Sequence, residues 1–117
     1  MKRVFNAFLN SMHALNYLLR HEKAVLQEAI VLVLSIPFAI FFAKGFGEFL
    51  LLVGSILFVL IIEIINTAIE ACCNAQTRDY REDIKIAKDA GSLAVLLAIV
   101  LAFAIWSWIV IKSLFFI

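Results

Sequence analysis

The sequence predicts an all-α membrane protein with an N-terminal amphipathic surface helix and three transmembrane helices. Apolar residues make up 65% of the 117 residues, well above the roughly half found in soluble domains. Three long segments carry little or no charge, and connections rich in lysine and arginine alternate with connections that are poor in them. A chain of this length predicts one integral-membrane domain over residues 1–117.

The first element is the surface helix, predicted over about residues 3–25. Apolar side chains from Val4 to Leu19 share one broad face of a helical wheel, and polar side chains such as Asn10 and His13 take the other. This pattern is typical of a helix that lies in the membrane interface. A solvent-facing helix that packs on a partner is the alternative. The polar residues also interrupt any apolar run of the kind that a cleaved signal peptide needs.

The three spans are predicted at about residues 28–44, 49–73 and 90–111. The third contains 22 residues without charge, about 33 Å of helix, which is enough to cross a hydrocarbon core of about 30 Å. The first span is shorter and contains Pro37, which has no amide donor and can bend the helix.

Positive charge predicts the orientation. Two segments outside the spans are rich in lysine and arginine, with four such residues each: Lys2, Arg3, Arg20 and Lys23 before the first span, and Arg78, Arg81, Lys85 and Lys88 before the third. The other two segments have one each: Lys44 after the first span and Lys112 after the third. By the positive-inside rule, the N-terminus and the loop at 74–89 lie in the cytoplasm.

The net charge of +1 gives no support for a nucleic-acid partner. The adjacent Cys72 and Cys73 lack CxxC spacing and are expected to be reduced.

Polar residues interrupt the second span at Glu63, Asn66 and Glu70. This spacing places them within about 60° of one another on a helix. A charged group at membrane depth costs about 3 kcal/mol or more, so it usually faces protein or water and has a function. Helix association through hydrogen bonds is the structural alternative. A functional site is favoured because other polar residues fall at the same cytoplasmic level, namely Glu22, Glu28, Lys88 and Asp89.

Acids, an amide and a lysine at one level suit a divalent metal and phosphates. Magnesium takes few protein carboxylates and shares its other positions with water and phosphate oxygens. The chain has no GxxxxGK[ST] loop, so side chains and helix ends would have to hold a nucleotide. Phosphoryl transfer asks mainly for positioning, a metal and a base.

Two segments, EIINTAIEA (63–71) and AKDAGSLAV (87–95), closely resemble the small bacterial integral-membrane diacylglycerol kinases, a family that includes the undecaprenol kinases. The segment HEKAVLQE (21–28) is similar to the family's NEAAFRQE. The resemblance implies a homotrimer in the bacterial cytoplasmic (inner) membrane, with sites formed between neighbouring chains. It further implies ATP as co-substrate, Mg²⁺ as cofactor and a lipid alcohol as acceptor.

The resemblance also implies a role for each matching residue. Glu63 matches the general base that takes the proton of the lipid hydroxyl, and Asn66 matches an amide that orients the base and the phosphate. Glu22 and Glu70 match the carboxylates that hold the magnesium of ATP. The other implied nucleotide contacts are Arg3, Asp79, Tyr80, Lys88 toward phosphate and Asp89 toward adenosine. The implied lipid contacts are Glu63, Ser92, Gln27 and Glu28.

The chain departs from the family at Asn74, where many members carry an acid, at Leu26, which replaces an arginine, and at Asn10 and His13. Residues 22–28 nevertheless keep the spacing of the diacylglycerol branch. The resemblance therefore implies ATP-dependent phosphorylation of diacylglycerol to phosphatidic acid at the cytoplasmic face, with undecaprenol as the alternative acceptor.

Two other classes of function are weighed against the lipid kinase. A small proton-coupled transporter would use Glu63 but leaves Glu22, Lys88 and Asp89 without roles. A non-catalytic assembly subunit would not require two carboxylates in register on one span.

Overall fold

The computed structural model describes residues 1–76 and 79–116, which leaves Arg78, one of the cations in the orientation argument, outside the described residues. Within them four α-helices follow in order: α1 (Lys2–His21), α2 (Lys23–Phe42), α3 (Phe46–Gln76) and α4 (Glu82–Phe115). The last three are long and apolar enough to cross a membrane. The prediction of an all-α protein with an N-terminal helix and three spans is thereby confirmed.

The junction between α1 and α2 is a single residue. Glu22 is extended (φ −116°, ψ 106°) and its backbone N–H donates to the Leu18 carbonyl at 2.9 Å. The first helix therefore ends at His21 rather than near residue 25, and the second begins at Lys23 rather than near 28. Neither proline nor glycine marks this break in the sequence, so helical periodicity alone could not locate it.

The N-terminal part of α4 extends beyond the predicted span. The helix begins at Glu82, whereas the apolar run begins only at residue 90. Acidic residues in a first turn favour the helix because they face its positive dipole end, and Asp83 Oδ1 accepts the Ile84 N–H at 2.9 Å. Residues predicted in a loop, Lys88 and Asp89 among them, consequently lie on a rigid helix.

Helix α3 is the centre of the bundle. It packs against both α2 and α4, whereas α1, among the described residues, packs only on α2. Two buried clusters hold the long helices together. Ala39, Leu52 and Ile109 join α2, α3 and α4, and Val59, Ala98 and Ala102 join α3 to α4. The alanines allow close approach of the helix backbones, as is usual in membrane bundles.

Hydrogen bonds fix the register of α3 against α4. The Trp106 Nε1–H reaches the Leu52 carbonyl at 3.0 Å and the Ser55 hydroxyl oxygen at 3.2 Å. At the end of the bundle near residue 45, Lys112 Nζ donates to Glu48 Oε2 at 2.5 Å. Glu48 Oε1 accepts the Lys44 backbone N–H at 3.1 Å. These contacts determine which residues of α3 and α4 meet at the opposite end.

Candidate active site

The three polar residues predicted to form the stripe on α3 differ in how exposed they are. Glu63 is half-buried, Asn66 is buried with 8% of its surface exposed, and Glu70 is exposed. Glu70 is two helical turns from Glu63, about 10 Å along the axis. The predicted stripe is therefore present, and its amide is turned into the protein while the carboxylates reach its surface.

Asn66 is packed directly against α4 at Gly91. A Cβ atom at Gly91 would overlap the Asn66 carboxamide oxygen, so only glycine allows this approach. The Asn66 Nδ2 group donates to Glu70 Oε1 over 3.4 Å, whereas its Oδ1 atom has no hydrogen-bond partner among the described residues. Buried acceptors are nearly always satisfied in proteins, so this oxygen is an exception within the described residues. The sequence interpretation missed Gly91, although a glycine directly after AKDA is a visible signal.

Four carboxylates lie near one another at the end of the bundle opposite to residue 45. Glu63 interacts electrostatically with Glu28 of α2, with Glu70 and with Glu22 of the α1–α2 junction. Within residues 1–76 and 79–116, none of the four forms an ion pair with a lysine, arginine or histidine. We refer to Glu22, Glu28, Glu63 and Glu70 as the carboxylate cluster. Its negative charge is not neutralised by the described part of the chain.

The donor chemistry of the carboxylate cluster fits a magnesium ion. Carboxylate oxygens are the ligands that Mg²⁺ prefers, and the ion commonly takes only one or two of them beside water and phosphate. No set of three His, Cys, Asp or Glu side chains in the described residues is arranged to enclose a metal. The described residues therefore do not form a metal site caged by protein alone.

A pocket of about 430 Å³ lies where α4 begins. Its lining residues are Asp79, Tyr80, Arg81, Ile84, Lys85, Lys88 and Asp89, and we call it the α4 pocket. The structure thus brings together four of the residues that the sequence predicts to contact a nucleotide. It adds Arg81 and Lys85, which the sequence interpretation did not include among its site residues, although the spacing of Lys85 and Asp89 on one helical face was a signal.

The charged groups of the α4 pocket are held by local partners. Lys88 Nζ donates to the Asn74 carboxamide oxygen at 2.8 Å, which links α4 to the end of α3. Lys85 Nζ meets Asp89 Oδ2 at 2.6 Å. Arg81 meets Asp83 at 3.1 Å. Within residues 1–76 and 79–116, Lys88 is the one of these three cations whose hydrogen-bond partner is neutral.

An apolar cavity adjoins the carboxylate cluster. It has a volume of about 290 Å³ and is lined by Glu28 together with Val31, Ile56, Val59, Ile99, Ala102, Phe103 and Trp106. A second cavity of about 280 Å³ continues it along α2 toward Phe38 and shares Val31, Ile56 and Trp106 with it. A single carboxylate at the mouth of an apolar space is suited to a molecule with a polar head and a hydrocarbon tail.

Three predicted site residues lie outside both the carboxylate cluster and the α4 pocket. Gln27 and Ser92 are exposed on α2 and α4, and Ser92 follows the glycine that contacts Asn66. Arg3 is exposed near the start of α1, about 27 Å along the helix from His21. Because α1, in the described residues, packs only on α2, the single chain does not bring Arg3 to the α4 pocket.

These features define a class: an integral-membrane protein whose carboxylate cluster lies at one end of a helical bundle, near an apolar cavity. Comparison with known families specifies the class. The model of the family Prokaryotic diacylglycerol kinase matches residues 9–110. The chain belongs to the prokaryotic diacylglycerol kinase family, as the motifs at 63–71 and 87–95 predict.

Curated relatives agree with this assignment. The chain is 37% identical to the diacylglycerol kinase of Escherichia coli strain K12 over 86 residues, which cover 74% of this chain and 70% of the relative. It is 32% identical to the diacylglycerol kinase of Pseudomonas aeruginosa over 111 residues, covering 95% and 90%. The diacylglycerol kinase of Haemophilus influenzae is 26% identical over 109 residues, covering 93% and 92%.

Proposed function

We propose that this protein transfers the γ-phosphoryl group of ATP to the hydroxyl of diacylglycerol and releases phosphatidic acid. The observation that carries the proposal is the unneutralised carboxylate cluster in a chain of this family. Three acids around Glu63 and a lysine-lined pocket at the start of α4 supply the parts that phosphoryl transfer needs, namely a base, metal ligands and cations for phosphate. The transporter and assembly-subunit hypotheses account for fewer of these groups.

Glu63 acts as the general base in this proposal. Its carboxylate accepts the proton of the acceptor hydroxyl as the hydroxyl oxygen attacks the γ-phosphorus. The bond between the γ-phosphorus and the β,γ-bridging oxygen breaks, and ADP leaves. A hydroxyl that rises from the bilayer reaches Glu63 before the shallower Glu70, since Glu63 is two helical turns deeper. Asn66, wedged against Gly91, orients Glu70 through the Nδ2 group of its amide.

Glu22 and Glu70 would hold the magnesium ion that accompanies ATP, and such an ion would supply positive charge to stabilise the phosphates during transfer. Lys88 contributes a second positive charge, and its hydrogen bond to Asn74 aims the ammonium from α4 toward the end of α3. Asn74 stands where many family members carry an acid, and the amide retains the acceptor oxygen that this contact uses. Asp89 contacts the adenosine side of the nucleotide.

The apolar cavity beside Glu28 accommodates an acyl chain of the acceptor, while Glu28 and Gln27 lie at the level of its headgroup. Ser92 contacts the headgroup from α4. Diacylglycerol is the preferred acceptor because residues 21–28 keep the spacing of that branch.

The remaining proposals concern assembly and orientation. The chain forms a homotrimer in the bacterial cytoplasmic (inner) membrane, with its N-terminus and the carboxylate cluster on the cytoplasmic side. A neighbouring chain then supplies Arg3, which the single chain leaves far from the α4 pocket. Mixing an inactive Glu63→Gln chain with an inactive Arg3→Ala chain should restore part of the activity after co-assembly. No recovery in proven mixed assemblies would show that each site is built within one chain.

The test of the function is a direct assay. Purified protein in mixed micelles receives ATP labelled at the γ-position and either dioleoylglycerol or undecaprenol. We expect labelled phosphatidic acid and a higher kcat/KM for dioleoylglycerol. A clearly higher kcat/KM for undecaprenol would overturn the lipid assignment, and transfer to neither alcohol would overturn the kinase proposal.

A further inference from the structure

Lys85 is a charged residue of the α4 pocket to which neither the family motifs nor the proposed mechanism gives a role. It lies one helical turn after Arg81 and three residues before Lys88, so these three cations follow one face of the helix start. All three line the same pocket of about 430 Å³. The lining contains three cations and the two carboxylates of Asp79 and Asp89. Arg81 is already paired with Asp83, so Lys85 and Lys88 are the cations placed to meet an anion.

The partner of Lys85 is informative. Its ammonium meets Asp89 Oδ2 at 2.6 Å, and the two side chains are 57% and 65% exposed. Ion pairs this exposed contribute little to stability because water screens them and two long side chains are immobilised. The pair can therefore open at small cost when a more highly charged anion enters the pocket.

We propose that Lys85 is an additional cation that binds the polyphosphate of the nucleotide, and that its pairing with Asp89 is the resting arrangement. This inference rests on the proposed function. When the polyphosphate enters, the Lys85 ammonium leaves Asp89 and donates to a phosphate oxygen. The same movement frees the Asp89 carboxylate to accept hydrogen bonds from the adenosine side. One exchange thus supplies a donor and an acceptor to the same ligand.

The test measures nucleotide binding without a lipid acceptor, by competition of MgATP and of AMP against a fluorescent ATP analogue on the full-length protein in micelles. Lys85→Met should weaken MgATP binding about tenfold, as expected for one lost hydrogen bond between charged groups. It should not weaken the binding of AMP, because AMP lacks the β- and γ-phosphates and Asp89 is already free of Lys85 in this variant. Lys85→Arg should bind MgATP like the wild type. Lys44→Met, at the other end of the bundle, serves as the matched control.

Unchanged MgATP affinity in Lys85→Met would overturn the inference. So would an equal loss for MgATP and AMP, since that would place the effect of Lys85 on the adenosine side through Asp89. The result is separable from the kinase proposal. A wild type that binds MgATP but phosphorylates no lipid alcohol fails the proposed function, whereas a lipid kinase whose Lys85→Met variant binds MgATP normally fails only the role of Lys85.

Discussion

The two ends of the bundle treat charge in opposite ways. At the end near residue 45, the one carboxylate of α3, Glu48, is paired with Lys112 of α4 and capped by a backbone N–H. At the other end, the carboxylate cluster has no ion-pair partner within residues 1–76 and 79–116. Glu48, Glu63 and Glu70 all lie on α3. The difference indicates that Glu48 contributes to the fold, and it supports our proposal that the unneutralised acids bind a cation and a substrate.

The largest expected effect comes from Glu63→Gln. An amide cannot accept the proton of the acceptor hydroxyl, and general-base catalysis contributes about 10²–10⁴-fold to rate. We therefore expect kcat to fall by that order while the helices and nucleotide binding are retained. Steady-state kinetics and circular dichroism of the purified variant provide the measurement. Turnover within a few-fold of wild type in folded protein would remove Glu63 from this role.

Gly91→Ala tests the contact that turns Asn66 into the protein. The new methyl group overlaps the Asn66 amide oxygen, and such overpacking typically costs about 1–3 kcal/mol. We expect a lower midpoint of unfolding together with a loss of turnover, because Asn66 and α4 must shift.

Gly54→Ala is the matched control for this change, because a Cβ atom there meets no atom within 4 Å. It should be neutral or stabilising, since alanine favours a helix over glycine by up to about 1 kcal/mol. Equal behaviour of the two variants in thermal unfolding and in turnover would argue against a close α3–α4 contact at Asn66.

Glu22→Gln and Glu70→Gln test whether these two members of the carboxylate cluster bind the proposed magnesium ion. Each removes one negative charge from the proposed metal site, so the magnesium concentration at half-maximal activity should rise several-fold. Glu82→Gln, an exposed acid at the start of α4, should leave it unchanged. If both cluster variants keep the magnesium dependence of the wild type, Glu22 and Glu70 do not share a metal site.

The smallest effect is expected from Lys112→Met at the paired end. It leaves Glu48 without its cation and loosens the end of α4 against α3. We expect a modest drop in the midpoint of thermal unfolding in micelles, with KM for ATP and for lipid unchanged. A raised KM for ATP without loss of stability would show that this end also takes part in the reaction.

The sequence predicts the spans well because long apolar runs and asymmetric charge are strong signals in a membrane. It places helix ends less well. The break at Glu22 depends on one extended residue, and the early start of α4 depends on polar residues that continue the helix beyond the apolar run.

Site residues show the same limit. Periodicity could align Glu63, Asn66 and Glu70 on α3, because all three belong to one helix. Periodicity could not reveal that Asn66 packs against Gly91, or that Lys88 donates a hydrogen bond to Asn74. Both contacts depend on how α3 and α4 pack. The proposed contact of Arg3 with the α4 pocket depends on a neighbouring chain, because the single chain does not bring Arg3 to this pocket.

The most direct test exchanges one carboxylate for an amide at each end of α3. Glu63→Gln and Glu48→Gln are chemically the same substitution, and kcat and the midpoint of thermal unfolding are measured on both in the same micelles. We predict that Glu63→Gln loses turnover and keeps its stability, whereas Glu48→Gln loses stability and keeps its turnover. The opposite pattern, or an equal loss of both quantities in the two variants, would contradict the separation of a structural end from a catalytic one.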